Sequence, residues 1–159
     1  MDDRRPRILV VDDEEYTRAF FKGILPAREY RTSFANDGSE ALRLWAEESF
    51  DLIIMDIRMP GIDGMEALRR IRAVDAETMV IMVSAFGDMD SVIDAMRLGA
   101  NDFFAKPFSS IDLLARARAH ALQDRGQPEQ VVSEAEIPMP ADRHPGSALV
   151  RLHVSLLVR

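Results

Sequence analysis

Residues 51–61 read DLIIMDIRMPG. Leu52 to Met55 are uninterrupted apolar residues that run straight into a carboxylate, Asp56, and then towards Pro60-Gly61. A short apolar run bounded by turn residues is a strand buried on both faces. Burying an acid is costly, and a solvated acid needs no such platform. The tip of this strand must therefore meet something that wants the charge.

The same punctuation recurs along the chain. RILVV (7–11) is a short β-branched run and reads as a buried strand. A helical pattern from Glu15 to Leu25 stops at Pro26. YRTSFA (30–35) alternates weakly and predicts a strand near an edge, and NDGSEALRLWAEES (36–49) supplies a helix start with Leu42, Trp45 and Ala46 on one face. Gly64 to Val74 predicts a helix, and TMVIMVS (78–84) another buried strand. Asp88 to Leu98 predicts a helix with acids in its first turn, Arg97 in its last and Gly99 as its stop. DFFA (102–105) is a short fifth strand, and Ser109 or Ser110 caps a last helix running to about Gln123.

Strict alternation of strands and helices predicts an α/β fold, a five-stranded parallel sheet doubly wound by helices on both faces. Working sites in such sheets lie beyond the carboxyl ends of the strands. Those ends carry Asp12-Asp13, Asp56, Ser84 and Lys106-Pro107. Carboxylates gathered at one edge repel each other unless a cation joins them. An all-oxygen ligand set suits a hard ion such as Mg²⁺. A carboxylate can also attack phosphorus to give an aspartyl phosphate, a transfer that needs mainly positioning and charge neutralisation. Mg²⁺ and the Lys106 ammonium would supply that from two sides, with the Ser84 hydroxyl donating to a third oxygen.

Composition narrows the alternatives. The chain has 159 residues, a formal charge of −7 and no cysteine, so disulfides and thiolate chemistry are excluded. Ile8 to Val11 is far too short for a signal peptide, and no run approaches a membrane span, so a cytoplasmic location is expected. The densest basic stretch, RRIR (69–72), falls on the wet side of a helix whose apolar positions are Met65, Leu68 and Ile71. Direct nucleic-acid binding is therefore disfavoured.

Five segments, ILVVDDE (8–14), ANDGSEAL (35–42), DLIIMDIRMPGIDGMEALRRIR (51–72), VIMVSA (80–85) and GANDFFAKPFS (99–109), together resemble the receiver domain of the two-component response regulators. The resemblance covers residues 5–123 and implies a flavodoxin-like sheet in the order 2-1-3-4-5. It implies that Asp56 is the phosphoacceptor, that Asp13 and Asp56 bind Mg²⁺ directly, that Asp12 acts largely through water, and that the Arg58 backbone carbonyl completes the set. Lys106 would pair with the phosphoryl group and Ser84 would shift towards it. Phe103 takes the place of the switch aromatic, here without a phenolic hydroxyl, and the Lys106-Pro107 bond would be cis. Arg58 and Phe86 flank the pocket, where they bear on water access. A sensor histidine kinase or phosphotransfer protein is the implied donor. The fourth helix, fifth strand and fifth helix would carry the signal to a downstream protein or a phosphorylation-dependent homodimer. On that face Asp102 and Arg116 could exchange a salt bridge across a two-fold axis.

Two other classes remain open on sequence. A haloacid-dehalogenase-type phosphatase also uses a strand-end Asp with Mg²⁺, but it wants a second Asp two positions later, where this chain has Arg58. A receiver-like interaction module that is never phosphorylated usually lacks an acid or the lysine, and this chain keeps all of them.

Residues 124–148, beginning DRGQPEQVVSEAEIPMPADRHPGS, carry prolines, glycines and acids without a period and read as linker. Residues 149–159, LVRLHVSLLVR, alternate apolar with polar positions, a strand signal over a short span. They read as a stump of an output domain or as disorder, with His153 on the solvated side.

Overall fold

The structure is a computed structural model describing residues 3–85, 87–122, 133–136 and 151–154; of Leu122 and the last two segments only the backbone is described. Phe86, most of the stretch read as linker and the ends of the tail lie outside the described residues, as does the His153 side chain. The chain forms two units, residues 1–125 and 126–159.

The first unit alternates without exception: β1 (Arg7–Val11), α1 (Glu15–Ile24), β2 (Arg31–Ala35), α2 (Gly38–Glu47), β3 (Leu52–Asp56), α3 (Gly64–Val74), β4 (Met79–Ser84), α4 (Met89–Arg97), β5 (Asp102–Ala105) and α5 (Ser110–Leu122). The strands make one parallel sheet in the order β2-β1-β3-β4-β5. β2 and β5 are therefore its edges, as the weak alternation of residues 30–35 predicts for β2.

Side chains alternate across a strand, so each central strand feeds two cores. Leu9, Val11, Ile53, Met55, Val80 and Met82 pack with Ala67, Leu68 and Ile71 of α3 and Val92 and Ala95 of α4. Ile8, Val10, Leu52, Ile54, Ile81 and Val83 face the other way, against Phe21 of α1 and Leu113 and Ala117 of α5. Every residue of β3 is buried, which is why its run is apolar without alternation until Asp56.

Local chemistry sets the helix ends. Asp37 and Asp63 are N-caps whose carboxylates accept from the amides of Glu40 and Glu66 at 2.8 and 2.9 Å. Gly99 takes a φ of 104° after α4, the left-handed stop expected of a glycine there. α1 ends at Ile24, one residue before the predicted stop, because Leu25 precedes Pro26 and adopts φ −105°, ψ 85°.

Two expectations are corrected. Ala46 is exposed on α2, which packs through Ala41, Leu42, Leu44 and Trp45 instead. Arg72 is not on the wet side of α3. Its guanidinium donates to the Gly99 carbonyl at 2.9 Å, the Asp75 carbonyl at 3.1 Å and Asn101 Oδ1 at 2.9 Å, while Asn101 Oδ1 also accepts from the Val80 amide. It joins the ends of α3 and α4 to the start of β4. A wheel of apolar positions could not show this, because two of the partners, the Gly99 carbonyl and the Asn101 side chain, are remote in sequence.

In the second unit β6 (Ser133–Glu136) pairs antiparallel with β7 (Arg151–Val154), Ser133 opposite Val154 and Glu136 opposite Arg151. β6 lies within the stretch that reads as linker. Its hydrogen-bonding partner, and not a periodic pattern of its own, defines it as a strand.

Candidate functional site

The sheet order puts the ends of β1, β3, β4 and β5 side by side, and each end delivers a polar group. Asp12, immediately after β1, is buried, whereas its neighbour Asp13 is exposed. Asp56 closes β3 and is 7 % exposed. One carboxylate oxygen from each of Asp12, Asp13 and Asp56 lies within 4.8 Å of the other two. The sequence-predicted acids are thus brought together.

Lys106 follows β5, and its amide donates to the Ser84 carbonyl at 2.8 Å, anchoring the loop to the end of β4. Its ammonium reaches Asp12 Oδ2 and Asp56 Oδ2 at 3.1 Å each. The Lys106-Pro107 peptide is cis. Beyond it, Phe108 packs against the rings of Phe20, Phe21 and Phe104 with centroids 5.8–5.9 Å away.

The free oxygens are satisfied locally. Asp12 Oδ1 accepts from the Glu14 amide at 2.8 Å, and Asp56 Oδ1 from the Arg58 amide at 3.1 Å. Burial pushes the Asp56 carboxyl up to about 6; the Arg58 amide and Lys106 oppose the rise, and the nearby Asp12 charge adds to it. Burial works against the Lys106 ammonium, but hydrogen bonds and charge from Asp12 and Asp56 outweigh it and raise its pKa.

Ser84 is buried, and its hydroxyl donates to the Phe104 carbonyl at 3.4 Å. Phe103 is half-buried against the core beneath α4. Asp102 and Arg116 pair within one chain, Arg116 Nη1 to Asp102 Oδ1 at 3.2 Å, and His120 Nε2 lies 3.2 Å from the other Asp102 oxygen. Arg116 also donates to the Phe103 carbonyl at 3.2 Å and stacks over the Phe104 ring at 4.6 Å.

Sequence reasoning missed three contributors. Arg18, one turn into α1, donates to the Asp12 carbonyl at 2.7 Å and braces the acidic turn. His120 had no signal beyond lying on α5. Gly64 lets α3 start directly on the backbone of Asp56, since a β-carbon there would come 2.0 Å from the Asp56 carbonyl oxygen.

Residues 8–118 match the family model described as the response regulator receiver domain, and the chain belongs to that family. It is 43 % identical over 105 residues to the chemotaxis protein CheY of Bacillus subtilis, covering 65 % of this chain and 88 % of that one. To the regulatory protein AtoC of Escherichia coli it is 39 % identical over 118 residues, 74 % of this chain but 26 % of the relative. The DNA-binding response regulator MtrA of Mycolicibacterium smegmatis is 34 % identical over 145 residues, 90 % of this chain and 63 % of its own length. The receiver domain of the Francisella response regulator 1452 superposes with a TM-score of 0.71 at 32 % identity, over 76 % of this chain and 99 % of that one. The chain therefore spans most of the length of some relatives and only a part of others. Receiver domains are signalling switches, and this chain has that fold and the acidic pocket that goes with it. Among the described residues no helix is long and apolar enough to cross a membrane.

Proposed function

We propose that this chain is a phosphorylation switch in which Asp56 accepts a phosphoryl group. The observation that carries this reading is the bridging of Asp12 and Asp56 by Lys106 at 3.1 Å each, beside Asp13. Asp56 is held by a buried strand beneath and by the Arg58 amide and Lys106 above, so its carboxylate is presented rigidly for attack. One carboxylate oxygen forms the new bond to phosphorus while the bond to the donor's leaving atom breaks. Lys106 remains to neutralise the oxygens, and the Ser84 hydroxyl leaves the Phe104 carbonyl to donate to one of them.

The residues fit a hard divalent cation. Their donors are all oxygen, they lie within 4.8 Å of one another, and the Asp12 charge helps raise the Asp56 pKa, a repulsion that a cation would relieve. Asp13, Asp56 and the Arg58 carbonyl would hold Mg²⁺, with Asp12 acting through water. The ion would add charge neutralisation on the phosphoryl oxygens.

A sensor histidine kinase or phosphotransfer protein is the donor this reading requires, in the cytoplasm. Residues 5–123 act as the receiver domain, ahead of a linker (124–148) and a tail (149–159). The α4–β5–α5 face passes the signal to a partner or a second copy, and direct nucleic-acid binding by this chain is not part of it. A phosphatase reading is weaker, because the position of its second acid is Arg58, whose guanidinium is engaged with Asp88 and Ser91.

The test is phosphorylation with acetyl phosphate and Mg²⁺ followed by intact mass. A single adduct that needs Mg²⁺ and is absent from Asp56→Asn supports the switch. No adduct in the presence of Mg²⁺ would leave an interaction module as the better description.

A further inference from the structure

α4 begins differently from its neighbours. The N-cap acids of α2 and α3, Asp37 and Asp63, each accept from an amide of their own first turn. Asp88, in the same position on α4, makes no such bond. Its Oδ2 instead accepts from Nε and Nη2 of Arg58 at 3.2 Å each, and Nη2 also donates to Ser91 Oγ at 3.3 Å. Hydrogen bonding from Ser91 and then from Arg58 holds the Asp88 carboxyl below its ordinary range, yet no amide of α4's first turn reaches it in the capping geometry that Asp37 and Asp63 have.

Arg58 is two residues beyond Asp56, and its own amide already bonds the Asp56 carboxylate. The same residue thus touches the reacting group with its backbone and α4 with its side chain. The Arg58 side chain is 71 % exposed, so the pair it makes is weak and can be released. Gly87, at φ 86°, gives the turn before Asp88 its freedom.

We propose that Arg58 is a latch on α4, closed on Asp88 in the unphosphorylated protein and opened when a phosphoryl group at Asp56 draws the guanidinium away. The inference rests on Asp56 being the phosphoacceptor. A phosphoryl group offers more charge and more acceptor oxygens than one carboxylate, so it competes for the guanidinium. Asp88, once released, turns to the amides of Asp90 and Ser91 and caps its own helix, as Asp37 and Asp63 do theirs. Each state satisfies both residues, Arg58 with an anion and Asp88 with donors. That makes the element two-state, and phosphorylation biases it by differential contact.

The test uses the full 159-residue chain and the backbone amide resonances of Asp90 and Ser91. Arg58→Met without phosphodonor is expected to move both amide protons downfield, the direction of a new bond to a carboxylate. Wild type treated with acetyl phosphate and Mg²⁺ is expected to show the same movement. Asp88→Ala, which has no cap to offer, is expected to form the adduct without it. Unmoved amides in Arg58→Met overturn the latch whether or not any adduct forms. Intact mass on the same wild-type sample separates the other failure: no adduct there removes the phosphoacceptor reading. An adduct with unmoved amides removes only the latch.

Discussion

Gly64 lies so close to Asp56 that a methyl group built on its α-carbon would sit 2.0 Å from the Asp56 carbonyl oxygen and 2.9 Å from its carbon. The backbone itself cannot yield there, because Gly64 N also bonds the Ile57 carbonyl at 2.9 Å. Gly64→Ala is expected to cost about 3 kcal/mol or more and to lower adduct yield. Gly23→Ala is the contrast, since nothing lies within 4 Å of its β-carbon in α1. It should gain about 0.5 kcal/mol from helix propensity. Urea midpoints of the two variants check both signs.

Asp56→Asn is expected to stabilise the fold at neutral pH while abolishing phosphorylation. The folded carboxyl titrates at about 6 against an ordinary 3.8. Between those values the folded chain keeps a proton that the unfolded chain has lost, so stability falls as pH rises from about 4 to 6. Asn has no proton to lose. The variant should exceed wild type by about 3 kcal/mol at pH 7.5 and match it near pH 4. A difference that does not change with pH would contradict the assignment.

Lys106→Met removes the cation from between Asp12 and Asp56. With Lys106 itself 30 % exposed, solvent screens part of the loss. The expected cost at pH 7.5 is about 2 kcal/mol. It should shrink at pH 5, where Asp56 takes up a proton. The rate of adduct formation should fall on the order of 100-fold. Chemical unfolding at the two pH values, with single-turnover phosphorylation, tests both.

Mg²⁺ is expected to raise the unfolding midpoint of the wild type, by about 2.7 kcal/mol at a hundred times its Kd, and a chelator should reverse the gain. Asp13 is exposed, so Asp13→Asn should leave the metal-free stability within about 0.5 kcal/mol of wild type. The metal-dependent increment should disappear in that variant. Retention of the increment would remove Asp13 from the ligand set.

Arg116→Glu sets a second anion against Asp102, which is buried and already shared with His120. If the α4–β5–α5 face joins two phosphorylated copies, this variant should remain monomeric with acetyl phosphate and Mg²⁺. Arg116→Lys should retain association in part. Light scattering on the phosphorylated samples decides, and unchanged association in Arg116→Glu would move the contact elsewhere.

Much of this was readable in the chain because strand ends and strand interiors obey different chemistry. Neither a carboxylate closing an apolar run, as at Asp56, nor a lysine-proline after one, as at Lys106, is decisive alone; together with Asp12, Asp13 and Ser84 at the other strand ends they point to one rim of a parallel sheet. What stayed hidden depends on atoms that sequence patterns do not place. Arg72 finds two carbonyls and an amide oxygen, Arg18 a carbonyl, and Gly64 the backbone of another strand end. Asp88 sits where an N-cap belongs, yet only the structure reveals that Arg58 has taken its carboxylate.

The Arg72 clamp has a mechanical corollary. It holds the carbonyl of Gly99 and the side chain of Asn101, just past the last turn of α4, whereas the first turn is tied down at the surface by Arg58. One end of the helix is anchored on partly buried hydrogen bonds, while the other is held at the surface by the exposed Arg58–Asp88 pair. Any rotation of α4 then has its largest arc at Asp88 and almost none at Gly99. A nine-residue helix becomes a lever about 13 Å long, with its effort applied beside Asp56.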